Sequence, residues 1–178
     1  MLDRTKKFSP HFTLGELTKT SYKTADGNEP TEEAIRNLEN LCKYWLEDLR
    51  YYYNRWHVIA ADEDYDESVN VEPIIINQGY RSQQVMQAMI ETGLSPSPTS
   101  NHLTGCAVDI RCMGPEHAVQ LMNVIIWIAN AGNMDYDELI LERRTMRSES
   151  ADPTNYVYWL HFAARPQNNR RKILFLRG

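Results

Sequence analysis

The chain has 178 residues and a mass of 20.7 kDa, enough for one domain with a substantial core. Its composition, 42% hydrophobic and 24% charged, is that of an ordinary soluble globular protein. The formal net charge of -5 argues against a general nucleic-acid-binding protein, so we expect no nucleic-acid partner.

The sequence carries no recognisable targeting or membrane segment. Met1 to Pro10 contains basic residues, but no apolar run follows them as a secretory signal would require. The longest apolar stretch, Val124 to Ala129, is too short to span a bilayer. We therefore expect a protein that is cytoplasmic as synthesised and does not bind membranes. The cysteines show no Cys-x-x-Cys spacing and are expected to be reduced: Cys42, Cys106 and Cys112.

Two helices are predicted in an N-terminal part that covers about residues 12–55. Thr13 and Glu16 form a capping box for a short helix from Phe12 to Thr18. Thr31 can cap a longer helix with apolar residues at helical spacing, which predicts a core-facing stripe: Ala34, Ile35, Leu38, Leu41, Cys42, Trp45, Leu46 and Leu49. The acidic loop that follows, at about residues 60–70, lacks the glycine and the alternation of an EF-hand, so we expect a solvated insertion.

The rest of the chain, about residues 71–176, predicts strands separated by helices and polar loops. Strands are predicted at 71–77, 106–110, 137–142, 156–163 and 173–176. Helices are predicted from Ser82 to about Glu91 and from Pro115 to near Gly132. Polar loops are expected at 93–99 and from Arg143 to Pro153.

The stretch from Ser100 to Ile110 predicts a cation site. Asp109 lies in an apolar strand, where a lone carboxylate would be costly. His102 stands seven residues earlier, and Gly105 gives the backbone the freedom to fold the histidine loop back over the strand start. A metal ion shared by His102 and Asp109 is the simplest way to neutralise the carboxylate.

A second histidine completes the predicted set. His161 lies in the strand from Tyr156 to Ala163, on the same face as Trp159. Two histidines and one aspartate predict a three-ligand zinc site with a fourth position open, the arrangement typical of catalytic zinc.

These residues resemble a known family. The pattern Ser-x-His-x-x-Gly-x-Ala-x-Asp-Ile, followed much later by Trp-x-His, resembles the zinc D-Ala-D-Ala carboxypeptidases and related peptidoglycan peptidases, whose fold is shared with the Hedgehog signalling domain. Gly79-Tyr80-Arg81-Ser82 also matches, and Phe12-Thr13-Leu14-Gly15-Glu16-Leu17 looks like the opening of short members from bacteriophages and bacteria. The resemblance runs from about Phe12 to about Lys172.

The resemblance, taken with the predicted elements, implies one α+β domain over residues 1–178, with a small, mostly antiparallel sheet and helices packed against it. It implies one zinc ion held by His102, Asp109 and His161, and hydrolysis of an amide bond in peptidoglycan peptides. A protein made in the cytoplasm would reach the cell wall after lysis, through a phage particle or with the help of another protein.

The resemblance also assigns roles around the metal. Arg81 would polarise the substrate carbonyl and stabilise the oxyanion, which suits a planar, permanently charged guanidinium. Ser100 would hold the substrate's backbone or terminal carboxylate. Tyr80 and Trp159 would wall the cleft.

The general base has two candidates. Some relatives carry a glutamate three residues before the last histidine, but this chain has Tyr158 there, on the opposite face of the strand. In other relatives the glutamate ends the preceding strand, a position that matches Glu142. Glu138 shares a face with Glu142 and is the runner-up.

Two other functions stay open at this point. A non-catalytic domain of the same fold could keep zinc for stability or recognition. A cysteine hydrolase that uses Cys106 is disfavoured because no activating histidine has a suitable place in the sequence. Carboxypeptidase and endopeptidase action are not distinguished, nor is the bond that is cleaved.

Overall fold

Five strands form one mixed sheet in the order β1-β2-β4-β3-β5. The computed structural model describes residues 3–94, 96–145 and 156–177. The strands are β1 (Ile76–Gln78), β2 (Ala107–Cys112), β3 (Glu138–Thr145), β4 (Tyr156–Ala163) and β5 (Lys172–Arg177). The pairs β1–β2, β2–β4 and β3–β4 are antiparallel, and β3–β5 is parallel. This architecture confirms the predicted α+β class with a mostly antiparallel sheet.

The helices follow the capping signals of the sequence. They are α1 (Leu14–Leu17), α2 (Glu32–Leu41), α3 (Glu47–Tyr53), α4 (Gln83–Glu91) and α5 (Pro115–Ala131). Thr13, Thr31 and Ser82 cap α1, α2 and α4 with their side chains, and Thr13 forms the predicted capping box with Glu16. None of the described helices is long and apolar enough to cross a membrane.

The long N-terminal helix is confirmed and runs further than its apolar stripe. A π-helical segment, Cys42–Leu46, joins α2 to α3, and a second one, Asn54–Val58, continues α3. This continuous helical segment, residues 32–58, is called the helical rod. It packs on one face of the sheet, where the Trp45 ring lies 5.1 Å from the Phe162 ring. Val108 and Ile110 of β2 point into the same core and have no exposed surface. The opposite face of β2 and β4 is therefore left for the polar site.

Two predicted boundaries are wrong. The strand expected at 71–77 is only β1, because Pro73 has no N–H to donate and the register shifts between Ile76 and Gln78. The loop expected from Arg143 begins later, because β3 continues pairing with β4 as far as Thr145. The rest of that predicted loop, 146–153, lies outside the described residues.

Candidate metal centre

Strand pairing brings Asp109 and His161 side by side. Asp109 of β2 pairs directly with His161 of β4, and residues opposite each other in a sheet share a face. His102 comes from a 3₁₀ turn, Asn101–Thr104, just before β2. Gly105 ends this turn with φ 70°, and a Cβ there would lie 2.5 Å from the carbonyl oxygen of Ala34. The close approach of α2 therefore requires glycine at this position.

The three predicted ligands converge. One ligand atom from each of His102, Asp109 and His161 can be chosen so that all three lie within 4.8 Å of one another, and all three residues are buried. The Asp109 Oδ1 atom lies 3.3 Å from His102 Nε2 and 2.9 Å from His161 Nδ1. Ligands about 2.0 Å from a tetrahedral ion would be about 3.3 Å apart. The spacing fits a metal ion, and this buried group can hold one.

Neighbouring residues hydrogen-bond the ligand side chains through other atoms, so the His102 and Asp109 atoms that face the shared position stay available to a metal ion. His102 Nδ1 lies 2.5 Å from the carbonyl oxygen of Gly79, to which it donates, so Nε2 is free to act as a ligand. Arg81 Nη2 donates to Asp109 Oδ2 at 2.6 Å and leaves Oδ1 for the shared position. The backbone N–H of Arg81 also donates to the carbonyl of His102 at 3.1 Å, which ties the two segments together.

The protonation of the cluster is set by burial and charge. Burial alone would raise the pKa of Asp109, but His102 and His161 hold it well below its usual range. Burial lowers the pKa of His102. Burial opposes the charged form of His161 too, yet the hydrogen bond to Asp109 and the nearby Glu138 carboxylate raise its pKa to about 9. Without an ion, a proton on His161 compensates the Asp109 charge, and a divalent cation can take over this compensation.

Two cationic side chains and one amide group hold the Glu138 carboxylate in place. Its Oε1 atom lies 3.0 Å from Arg170 Nη2 and 3.4 Å from Lys172 Nζ. Its Oε2 atom accepts from Asn101 at 3.2 Å and lies 3.8 Å from His161 Nε2. The nearby His161, together with Arg170 and Lys172, lowers the pKa of Glu138 to about 2, against the effect of burial. Glu138 therefore orients His161 and is poorly suited to accept a proton.

Glu142 has a different environment on the same face. Ile140 pairs with His161, and Glu142 pairs with Trp159, two residues along each strand. Burial and the nearby Asp109 charge raise the pKa of Glu142, although it also interacts with the Trp159 side chain. No ion pair of Glu142 is found in the described part of the chain. Its carboxylate is thus half-buried and not neutralised by a close cation.

The remaining predicted residues lie around this centre in different settings. Trp159 is half-buried on the site face. The Ser100 hydroxyl caps the 3₁₀ turn by accepting from the His102 N–H at 3.3 Å, so one of its functions is structural. Tyr80 is only 6% exposed and belongs to the main hydrophobic core. It can therefore offer only a small part of its surface to a cleft, and its place in the cleft wall stays a prediction.

Sequence reasoning missed the network that supports the ligands. Asp137, the residue just before β3, has no exposed side-chain surface and accepts from Asn101 at 2.8 Å. Arg165 and Arg170 pair with the same carboxylate. The adjacent acids at 137–138 and the arginines after β4 were visible signals, but nothing in the sequence indicated that they meet beside His102.

Comparison with known proteins finds a distant structural similarity. No protein-family model matches the chain, and no curated protein does. Among solved structures it is similar to the crystal structure of the Serratia marcescens L-Ala D-Glu endopeptidase ChiX. The two share 18% identity over 76% of this chain and 88% of that chain, with a TM-score of 0.39.

Proposed function

We propose that the chain is a zinc-dependent peptidase that hydrolyses an amide bond in bacterial cell-wall peptides. The observation that carries the proposal is the convergence of two buried imidazoles and a buried carboxylate beside a half-buried glutamate on one sheet face. The resemblance of the histidine–aspartate motif to the peptidoglycan peptidases supports the substrate class.

The donor set fits zinc. His102 Nε2, His161 Nδ1 and Asp109 Oδ1 would hold the ion, a mixed nitrogen and oxygen set with three protein ligands, as catalytic zinc sites have. When bound, zinc supplies a Lewis acid that polarises a carbonyl and lowers the pKa of water. Gly79 and Glu138 orient the two histidines, and Arg81 orients Asp109.

Glu142 is our candidate for the general base. Hydrolysis forms a C–O bond, breaks the C–N bond and moves one proton from water to the departing nitrogen. A carboxylate with a raised pKa on the site face is suited to this transfer, because a base works best with a pKa near the working pH. Arg81 as an oxyanion donor stays a prediction, since one end of its guanidinium already holds Asp109.

Metal analysis combined with digestion of purified muropeptides tests the proposal. We expect about one equivalent of zinc per chain, loss of cleavage after chelation, and recovery when zinc is added. Mass spectrometry of the products identifies the bond, which decides between carboxypeptidase and endopeptidase action.

Variants of the acids test the assignments. Glu142→Gln should keep zinc and lose about 10²–10⁴-fold in turnover. Glu138→Gln should weaken zinc binding, and Glu91→Gln, on the exposed end of α4, should change neither. A fully active Glu142→Gln enzyme would reject the base. Stoichiometric zinc with no cleavage of any muropeptide would favour the non-catalytic domain.

A further inference from the structure

Beyond the metal ligands, the site face continues into a second row of side chains. Arg111 of β2 pairs with Trp159 of β4, which pairs in turn with Glu142 of β3. Alternation along β2 puts Arg111 on the same side as Asp109, because the intervening Ile110 points into the core with no exposed surface. The row therefore places a cation, an indole and the candidate base next to one another across three strands.

Arg111 differs from the three arginines near the site that carboxylates hold. Arg81 is paired with Asp109, and Arg165 and Arg170 are paired with Asp137. Arg111 is exposed, and within the part of the chain that the structure describes its guanidinium takes part in no ion pair or hydrogen bond. Its backbone is fixed, because its N–H donates to the carbonyl of Ile75 at 2.8 Å. A charged donor on a rigid strand is thus available to a ligand.

The spacing suits a peptide that crosses the site. Strand residues advance about 3.3 Å each, so the Cα of Arg111 stands roughly 6.5 Å from that of Asp109. An extended substrate has the same spacing. If the scissile carbonyl of such a substrate lies beside Asp109, substrate side chains one or two residues away lie over the row formed by Arg111, Trp159 and Glu142.

Charge indicates what those groups are. Glu142 lies in the same row, so a substrate carboxylate placed over this row would be repelled unless a cation in the row met it. A guanidinium bonds carboxylates through two parallel N–H groups and does so more strongly than it bonds neutral amides. The half-buried indole of Trp159 offers an apolar surface beside this charge.

We propose that Arg111 is a specificity-determining residue that binds a free carboxylate of the substrate, one or two residues from the scissile amide. The preferred substrates are then acidic peptides. This inference rests on the proposed peptidase function and deepens it by naming the substrate class.

Matched peptides test the inference. Synthetic cell-wall stem peptides are prepared in which each free carboxylate is replaced, one at a time, by a primary carboxamide. At one of these positions, the zinc-loaded enzyme should cleave the carboxylate peptide with a kcat/KM about 10-fold or more above that of its carboxamide counterpart. The difference should lie mainly in KM. Arg111→Gln should bring this ratio close to one, and Arg111→Lys should keep part of it. Arg36→Gln, an exposed arginine on α2, should leave the ratio unchanged.

A binding measurement separates the failure modes. Calorimetry on the Glu142→Gln variant should show the same carboxylate preference without cleavage, and Arg111→Gln in that background should remove it. Equal kcat/KM for every pair, or an unchanged preference in Arg111→Gln, would overturn the inference while the peptidase proposal stands. Neither cleavage nor binding of any peptide would overturn both.

Discussion

Replacing Gly79 by alanine tests how tightly the segment that orients His102 is built. An added Cβ would lie 2.3 Å from the carbonyl oxygen of Leu17 and 3.0 Å from its Cα. Ordinary contacts begin at 3.4 Å, so the two segments would have to separate by about 1 Å. They resist this, because Leu17 is fully buried and its oxygen also accepts from the Tyr80 N–H at 2.7 Å.

The expected losses affect both stability and metal binding. Overpacking of this kind costs about 1–3 kcal/mol, and each kcal/mol shifts the Tm of a chain of this size by about 2–4 °C, so Gly79→Ala should lower Tm by roughly 2–12 °C. The displaced Gly79 carbonyl would also release His102 Nδ1. Loss of such an outer contact typically weakens metal binding about 10–100-fold.

Gly114→Ala is the matched control. A Cβ at Gly114 meets nothing within 4 Å, and its φ of 173° is extended backbone that alanine adopts freely. Because Gly114 precedes α5, a slightly poorer cap should cost at most about 1 kcal/mol. Thermal melts of the metal-free proteins and zinc titration against a competing chelator give the two readouts. If Gly79→Ala melts and binds zinc as Gly114→Ala does, the proposed coupling between Leu17, Gly79 and His102 is refuted.

Three further outcomes are expected. Burial opposes ionisation of Asp137, yet its arginine partners lower its pKa from 3.8 to about 2. The ionised Asp137 therefore stabilises the folded chain by about 2 kcal/mol above pH ~4, and this contribution is lost as the pH falls to 2. Asp137→Asn should remove this pH dependence from urea-unfolding curves, and an unchanged profile would contradict the ion cluster. The three cysteine thiols are buried, so a thiol reagent should label them only after unfolding, and rapid labelling of the native protein would contradict their burial. Trp45→Ala should lower the free energy of unfolding by about 3–5 kcal/mol, because Trp45 is 6% exposed and packs on Phe162. A loss below 1 kcal/mol would contradict the packing of the helical rod on the sheet at this position.

Periodicity and spacing explain what the sequence predicted well. The apolar stripe of the N-terminal helix, the caps at Thr13 and Thr31 and the alternation around His161 are local patterns, and local patterns largely determine local structure. The metal cluster was predictable for a related reason. A carboxylate inside an apolar strand needs a cation, and the nearby His102 together with His161 on a second apolar strand indicated a shared metal ion.

Contacts between distant segments explain what was missed. The sequence placed Tyr80 beside Arg81 but did not indicate that its N–H donates to the carbonyl of Leu17 or that its side chain belongs to the core. The pairing of Arg81 with Asp109 was likewise invisible, because it depends on how the segment after β1 folds against β2. Both residues belong to one short motif, yet tertiary packing turns one side chain inward and the other toward the metal ligands.

The choice between the two glutamates shows why a strand pattern alone could not settle the base. Alternation puts Glu138 and Glu142 on one face of β3, so from sequence they are equivalent candidates. The cations that distinguish them come from β5 and the segment before it: Arg170 and Lys172 reach Glu138, and neither pairs with Glu142. A carboxylate held by two cations has a depressed pKa and an orienting function, whereas one that is half-buried beside another carboxylate has a raised pKa and can take up a proton. If this reasoning is correct, Arg170→Gln should weaken zinc binding through Glu138 and His161 while the pH profile of kcat stays that of Glu142.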